Sequence, residues 1–265
     1  MADHGSGDPA IELVDVVKYF DSIRMLDGLN LVVPSGAITV LIGPSGAGKT
    51  VTVNHIVGLI HPTEGTVSVE GRNLALLSET ELNALRQEMA AVLQGTLPFS
   101  CGLFFSMNVY ENVASPLRQR RPRWSSERIH RMTMEHLKLV GLADNANDMP
   151  EDLSSGMAKR TAIARALALE ARIVVIDDFD SGIDGVRLAL LCDLLREIQR
   201  DSGATFLVTT HDMSAARKLA DYAAVIHEGK IVASGEADAV FDSHEEVVGQ
   251  LVAGELSGPI QLRSP

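Results

Sequence analysis

The chain has 265 residues, 46% of them hydrophobic, and a formal net charge of −12. That length and apolar content support a substantial core and exclude disorder as the default, while the acidic balance excludes a broad nucleic-acid footprint. Its two cysteines, Cys101 and Cys192, are too far apart for metal-ligand spacing and give no reason for a disulfide, which fits a reducing compartment.

Residues 1–10 are short, polar and glycine-containing, unlike a secretory leader, and are expected to be disordered. No apolar run approaches the about 18 residues that span a bilayer, so any membrane connection is expected to run through another subunit. Residues 11–20 and 29–33 alternate as strands, Pro34-Ser35-Gly36 reads as a turn, and 38–42 reads as a buried strand. It leads into Gly43-Pro44-Ser45-Gly46-Ala47-Gly48-Lys49-Thr50, and residues 51–59 leave as a helix. A strand–loop–helix with this G-x-x-x-x-G-K-[ST] spacing is a nucleotide phosphate loop. Its glycines let backbone N–H groups turn toward phosphate oxygens, and the helix N-terminus adds positive potential. Lys49 is expected to reach the β- and γ-phosphates and the Thr50 hydroxyl to ligate Mg²⁺.

Pro62-Thr63-Glu64-Gly65 reads as a turn before a strand at 66–69 and a second turn at Glu70-Gly71, so an antiparallel sheet flanks the first part of the core. Residues 80–90 read as a helix and 90–93 as a short strand ending at Gln94. Helices are expected over 109–117, 127–140 and 158–169, and strands over 172–176 and 205–209, separated by a helix over 186–200. That is the βαβ alternation of a parallel sheet. Residues 223–226 and 230–233 flank a turn at His227-Glu228-Gly229, and the last stretch is less regular. Ile173-Val174-Val175-Ile176-Asp177-Asp178 is a buried strand ending in two carboxylates. In a phosphate-loop protein the first acid holds Mg²⁺ and the second orients or activates the attacking water; the alternative is that they cap the following turn.

With Leu153-Ser154-Ser155-Gly156-Met157 between the two motifs, the chain resembles an ABC-type ATPase subunit from about residue 11 to 262. The resemblance implies an α/β fold: a P-loop NTPase core with a parallel sheet, a flanking antiparallel β subdomain and an inserted α-helical subdomain that carries the signature. Its expected divisions are a disordered 1–10, then 11–94 for the β subdomain and first core segment. Residues 95–157 follow as coupling loop and helical subdomain, 158–241 as the second core segment, and 242–265 as a tail. Phe20, which precedes Gly43 by 23 residues, stands where the family stacks an aromatic ring on adenine; on its own it reads as core. Gln94 looks like the glutamine that senses Mg²⁺ and couples to the membrane partner. Asp180-Ser181-Gly182-Ile183-Asp184 resembles the loop that crosses the dimer interface, and His211 the histidine that senses the γ-phosphate. In such ATPases the phosphate loop of one chain faces the signature of the other, here Ser154, Ser155 and Gly156, with ATP between them, and a helix N-terminus at Met157 aids closure.

Met107 to Arg118, Gly156-Met157 followed by Lys159-Arg160 and Ala164-Arg165-Ala166-Leu167, and Gln250-Leu251-Val252-Ala253-Gly254 with Gly258-Pro259-Ile260 are similar to the Mce and Mla lipid-transport branch. On chemistry alone, the last of these segments reads as a polar surface tail with a turn. The branch implies ATP and Mg²⁺ as ligands and a second ATPase subunit as partner, a homodimer first and a heterodimer as the alternative. It also implies an integral membrane permease, lipid-binding envelope proteins indirectly, no nucleic acid, and a peripheral place on the cytoplasmic face of the membrane. Four features depart from the family pattern: Asp178 stands where glutamate is usual, Phe179 where proline is usual, and Ser155 where glycine is usual, and Gly95 to Phe105 carries an apparent insertion. A carboxylate withdrawn by one methylene, roughly 1 Å, can lose about 10²-fold in rate, so slow hydrolysis is expected. The alternatives are a catalytically weak ATP clamp or regulatory subunit, an importer ATPase for another substrate, or a non-transport ABC ATPase, the last disfavoured by a single compact cassette. The arginines at 118, 120, 121, 123, 128 and 131 with Trp124 face acidic lipid headgroups, the permease or solvent.

Overall fold

The computed structural model describes residues 9–94, 102–255 and 257–261. Residues 1–8 and most of the expected insertion, 95–101, lie outside them. The chain opens with β1 (Ile11–Phe20), β2 (Ile23–Val33) and β3 (Ile38–Ile42), followed by α1 (Lys49–Ile56), β4 (Glu64–Val69), β5 (Arg72–Asn73), α2 (Glu79–Glu88) and β6 (Met89–Val92). A helical stretch follows, α3 (Val109–Arg120), α4 (Ser126–Leu139) and α5 (Ser155–Ala168). The second half alternates: β7 (Ile173–Ile176), α6 (Gly185–Ser202), β8 (Thr205–Thr210), α7 (Met213–Leu219), β9 (Tyr222–His227), β10 (Lys230–Glu236), α8 (Ala237–Phe241) and α9 (Glu246–Ala253).

Two sheets form. One has four antiparallel strands in the order β2-β1-β4-β5; the other has six in the order β10-β9-β3-β8-β7-β6, parallel except for the β10 edge. Strand alternation explains the layering. Ile38, Val40 and Ile42 of β3, Val174 and Ile176 of β7, and Phe206 and Val208 of β8 face one core, shared with α3 to α7. Leu41, Ile173, Val175 and Leu207 face the other, shared with β1, β2, β4, α1 and α2. A sheet buried on both faces reads as continuous apolar runs, which is why these strands show no polar alternation.

Parallel register aligns the strand ends. Ile42 pairs with Thr210, Ile176 with Val208, and Val92 with Ile176. One sheet edge therefore carries Gly43, Gln94, Asp177 and His211 on the residues that follow the strands, the place where open parallel sheets bind ligands.

Several expectations shift. Ala10, assigned to a disordered terminus, is buried; its N–H donates to the Val33 carbonyl and its own carbonyl accepts from Glu70. Glu64 and Gly65 are not a turn but already belong to β4, where Glu64 pairs with Val17 beyond a bulge in β1. The phosphate-loop helix begins at Lys49 and the signature helix at Ser155, both earlier than apolar periodicity suggests, because their first turns are polar. The C-terminal stretch is more ordered than its composition implies: α9 buries Val247 and Val248 in the core. Gln250, 8% exposed, is not a surface residue. It donates to the Glu255 and Ile260 carbonyls and accepts from the Ile260 N–H at 2.7 Å, folding the tail back on its own helix.

The described part of the expected insertion, residues 102–105, is tied to α3. Asn112, fully buried, accepts from the Phe104 N–H and donates to the carbonyls of Phe104, Met107 and Asn108. An amide whose donors and acceptor all end on backbone cannot be removed without stranding them, at about 1–3 kcal/mol. Asn112→Ala is expected to lower the unfolding free energy by that amount in a urea titration; an unchanged midpoint would show that Asn112 does not organise this segment.

Candidate nucleotide site

A cavity of about 400 Å³ opens at that sheet edge, lined by Met25, Ser45, Gly46, Gly48, Lys49, Thr50, Val51, Gln94, Asp177, Asp178, Thr209 and His211. A larger cavity, about 620 Å³, lies at the opposite strand ends near Val174, Thr205 and Phe206 and holds none of the motif residues.

The phosphate loop is compressed against β9. A Cβ on Gly43 would sit 2.1 Å from the Ile226 carbonyl oxygen, so no larger residue fits. Gly48, at the helix entrance, has φ +113°, a conformation side chains rarely adopt. Lys49 is 7% exposed and its Nζ donates to the Gly43 and Pro44 carbonyls at 2.7 and 2.9 Å. The ammonium is thus held over the loop by backbone oxygens in a crevice short of water. Burial pulls its pKa down to about 8, against the charges of Asp177, Asp178 and Asp180, which favour the ammonium.

The acidic corner is built by β8. Thr209, fully buried, donates its hydroxyl to Asp177 Oδ1 at 2.6 Å and accepts from the Asp178 N–H at 2.8 Å. Its carbonyl accepts the Phe179 N–H at 2.9 Å. Proline at 179 has no N–H to make this last bond, and the Phe179 ring is fully buried in the core. Asp178 has φ +55°, in the left-handed region that aspartate tolerates better than most residues. Asp177 is 1% exposed and its Oδ2 has no hydrogen-bond partner among the described residues. Buried Lys159, one turn into the signature helix, donates to the Asp177 carbonyl at 2.9 Å and so joins α5 to the acidic strand end.

The cavity therefore gathers the loop, Gln94, Asp177, Asp178 and His211. Phe20 and the signature are not brought into it. Phe20 is exposed at the end of β1, with the Lys18 ammonium 5.3 Å from its ring centroid. Ser154 caps α5 by accepting from the Met157 N–H, and Ser155 and Gly156 lie against the loop that follows Asp178. A Cβ on Gly156 would meet the Gly182 carbonyl at 2.2 Å, and one on Gly182 would meet Ser155 Oγ at 2.5 Å. Sequence reasoning missed Thr209, Lys159 and Met25. A threonine closing a buried strand carries a weak signal, Lys159 was singled out only as part of a resemblance, and nothing marks Met25. Around Trp124, Arg128 stacks at 3.9 Å, while Arg118 pairs with Glu111 and Arg121 with Glu170, which accounts for part of the basic stretch.

The sequence pattern of the ABC transporter family matches residues 26–181, from within β2 to the residues just past the acidic corner. This chain belongs to the ABC transporter ATP-binding family. A probable ribonucleotide transport ATP-binding protein, mkl, of Mycobacterium leprae is 38% identical over 253 residues, covering 96% of this chain and 71% of mkl. The intermembrane phospholipid transport system ATP-binding protein MlaF of Escherichia coli K12 is 36% identical over 255 residues, covering 96% of this chain and 93% of MlaF. Among solved structures, the dimeric post-hydrolysis ATP-binding cassette MJ0796 bound to ADP and Pi superposes with a TM-score of 0.78 at 30% identity. That likeness covers 86% of this chain and 98% of MJ0796. The α/β P-loop fold, ATP binding and ATPase activity inferred from the motifs accordingly stand, as does a role as the ATPase subunit of an ABC transporter. No helix among the described residues is long and apolar enough to cross a membrane.

Lys49 generates a pH prediction. Its folded pKa lies below its ordinary 10.5, so between about 8 and 10.5 the folded nucleotide-free chain holds fewer protons than the unfolded one. The folding cost of the buried ammonium is full below pH 8 and fades as pH rises through that window. Phosphate favours the charged form and restores the proton. Calorimetric titration with ATP near pH 8.5–9, repeated in buffers of different ionisation enthalpy, is expected to show proton uptake that is absent near pH 7 and absent in Lys49→Met. Identical uptake in Lys49→Met would assign the proton elsewhere.

Proposed function

We propose that this ABC ATPase works as a pair, on the cytoplasmic face of a membrane, and drives lipid movement through a separate integral permease, with envelope lipid-binding proteins as indirect partners. The observation that carries the lipid reading is the similarity to MlaF, which runs nearly end to end through both chains. The name of mkl supplies the second reading, an ATPase serving ribonucleotide transport. Pairing is supported by the position of Ser154, Ser155 and Gly156 outside the cavity of their own chain and by the dimeric state of MJ0796. A second copy is the proposed partner. In it, residues 95–157 form the unit that meets the permease, between the core segments 11–94 and 158–241, and 242–265 form the tail.

ATP is proposed to lie along the loop 43–50, with Phe20 against adenine and Lys49 on the β- and γ-phosphates. Thr50, Gln94 and Asp177 fit a Mg²⁺ ion: the buried Asp177 Oδ2, without a hydrogen-bond partner among the described residues, is a hard oxygen donor, and such ions are held by one or two carboxylates plus substrate phosphates. When bound, the ion would neutralise charge on the phosphates. Asp178 orients the attacking water and takes its proton as the new bond forms to the γ-phosphorus and the bond to ADP breaks. His211 faces the γ-phosphate.

We further propose that turnover is slow. Asp178 is one methylene shorter than the family's glutamate, and its left-handed backbone is fixed by the Thr209 hydroxyl. Ser155 adds a side chain in the first turn of the signature helix. Asp178→Glu is expected to raise steady-state phosphate release by about 10-fold to 10²-fold, and Mg-ATP to shift the chain to dimers in sedimentation. Glu without a rate gain would remove Asp178 as the cause, and dimerisation without turnover in either variant would favour an ATP clamp. The transport reading is tested with the chain isolated together with its membrane partner and placed in phospholipid vesicles. ATP-dependent transfer of a labelled phospholipid is the expected result; stimulation of the ATPase by ribonucleotides without lipid transfer would overturn it in favour of the second reading.

A further inference from the structure

A carboxylate outside the nucleotide cavity is aimed at the backbone of a residue inside it. Asp180, half-buried, follows the acidic corner by two residues and does not line the cavity. Its Oδ1 accepts the Thr210 hydroxyl and the His211 N–H, the latter at 3.0 Å. Thr210 Oγ1 in turn accepts the Asp212 N–H at 3.0 Å, and Asp212 Oδ1 caps α7 by accepting from Ala215 at 2.7 Å. The polar groups on both sides of His211 are thus held through one carboxylate oxygen. Thr210 is fully buried and cannot shift without disturbing β8. The imidazole is left exposed on the cavity wall.

Resting on the proposed role of His211 at the γ-phosphate, we propose that Asp180 is a positioning residue for ATP hydrolysis: it fixes the corner between β8 and α7 so that the His211 imidazole meets that phosphate. A corner that reverses the chain immediately after a strand has few intrinsic hydrogen bonds of its own. A single carboxylate that accepts from both a side chain and a backbone N–H supplies the missing acceptor, and a charged acceptor makes the stronger bond. The same residue joins two loops. Asp180 belongs to the segment that continues to Gly182, against which Ser155 and Gly156 of the signature helix are packed. A displacement of that segment is therefore transmitted to His211 through Asp180 instead of being absorbed by the loop.

The test uses the full-length chain and its Mg-ATPase activity, with hydrogen exchange at the His211 amide as a readout independent of turnover. Asp180→Ala is expected to lower kcat by about 10-fold to 10²-fold, the range for a reacting group displaced by about 1 Å, with KM for ATP nearly unchanged. Asp180→Asn, which keeps the Oδ1 acceptor and loses the charge, is expected to restore most of the rate. In a His211→Ala background Asp180→Ala should add nothing, because the two act as one unit. The His211 amide should exchange faster in Asp180→Ala and regain protection in Asp180→Asn. If Asp180→Ala does not fold, Thr210→Val, which leaves Asp180 with one donor fewer, carries the test beside Asp180→Asn: reduced kcat in the first and near-normal kcat in the second are expected. Equal damage from Asn and Ala would mean that the charge acts directly on the loop lysine. Multiplying effects of Asp180→Ala and His211→Ala would mean that Asp180 acts apart from the histidine. Either result overturns the proposal, as does an unaltered kcat in Asp180→Ala.

Discussion

The site depends on the clasp between the end of β8 and the residues that leave β7. Thr209 uses its hydroxyl twice and its carbonyl once, on Asp177, Asp178 and Phe179 in succession. Parallel pairing with β8 ends at Ile176, and beyond it only the Asp177 N–H continues a ladder, donating to the Val92 carbonyl of β6 on the other side. On the β8 side the clasp replaces the ladder. It leaves one Asp177 oxygen satisfied and the other buried without a partner among the described residues, and it holds Asp178 in a left-handed turn at the cavity wall. A buried carboxylate oxygen without a partner is costly unless a ligand completes it. The geometry is that of a site assembled in advance of what it binds.

Two other connections place this corner within the larger fold. Lys159 carries the start of the signature helix to the Asp177 carbonyl, and the tight approach of Gly43 to Ile226 seats the phosphate loop on β9. The cavity consequently lies where the parallel strands β3, β6, β7 and β8 end, with the loop on one side and the acids on the other. The signature residues pack on the loop following the acids and not on the cavity. One chain thus presents two different surfaces, a phosphate-binding rim and a capped helix start, that suit a pair better than a monomer.

Much of this was legible in the sequence because the strongest signals are steric. The loop 43–50 needs glycines where the backbone crowds Ile226 or takes positive φ, and the buried strands need unbroken apolar runs, so both advertise themselves. Helix starts were misread where the first turn is polar: Lys49 and Ser155 are helical, yet neither belongs to an apolar stripe. The tail was misread because Gln250 looks like a surface residue, whereas its amide is spent on the chain that folds back over it. Asn112 and Thr209 stayed hidden, and Asp180 was legible only as part of an interface loop, for one reason. Each acts through particular hydrogen bonds to backbone or side-chain groups of a neighbouring loop or strand end, and neither periodicity nor spacing encodes those partners.

The Thr209 clasp is tested most directly by Thr209→Val, which keeps the shape of a fully buried side chain and removes only its hydroxyl. Steady-state phosphate release and nucleotide affinity are measured side by side. The account predicts a fall in kcat of about 10-fold to 10²-fold from the misplaced acids, a stability loss of about 1–3 kcal/mol from the stranded Asp177 oxygen and Asp178 N–H, and nucleotide affinity nearly retained, since the phosphate loop is untouched. An unchanged kcat in a folded Thr209→Val chain would contradict the claim that β8 sets the chemistry of the acidic corner.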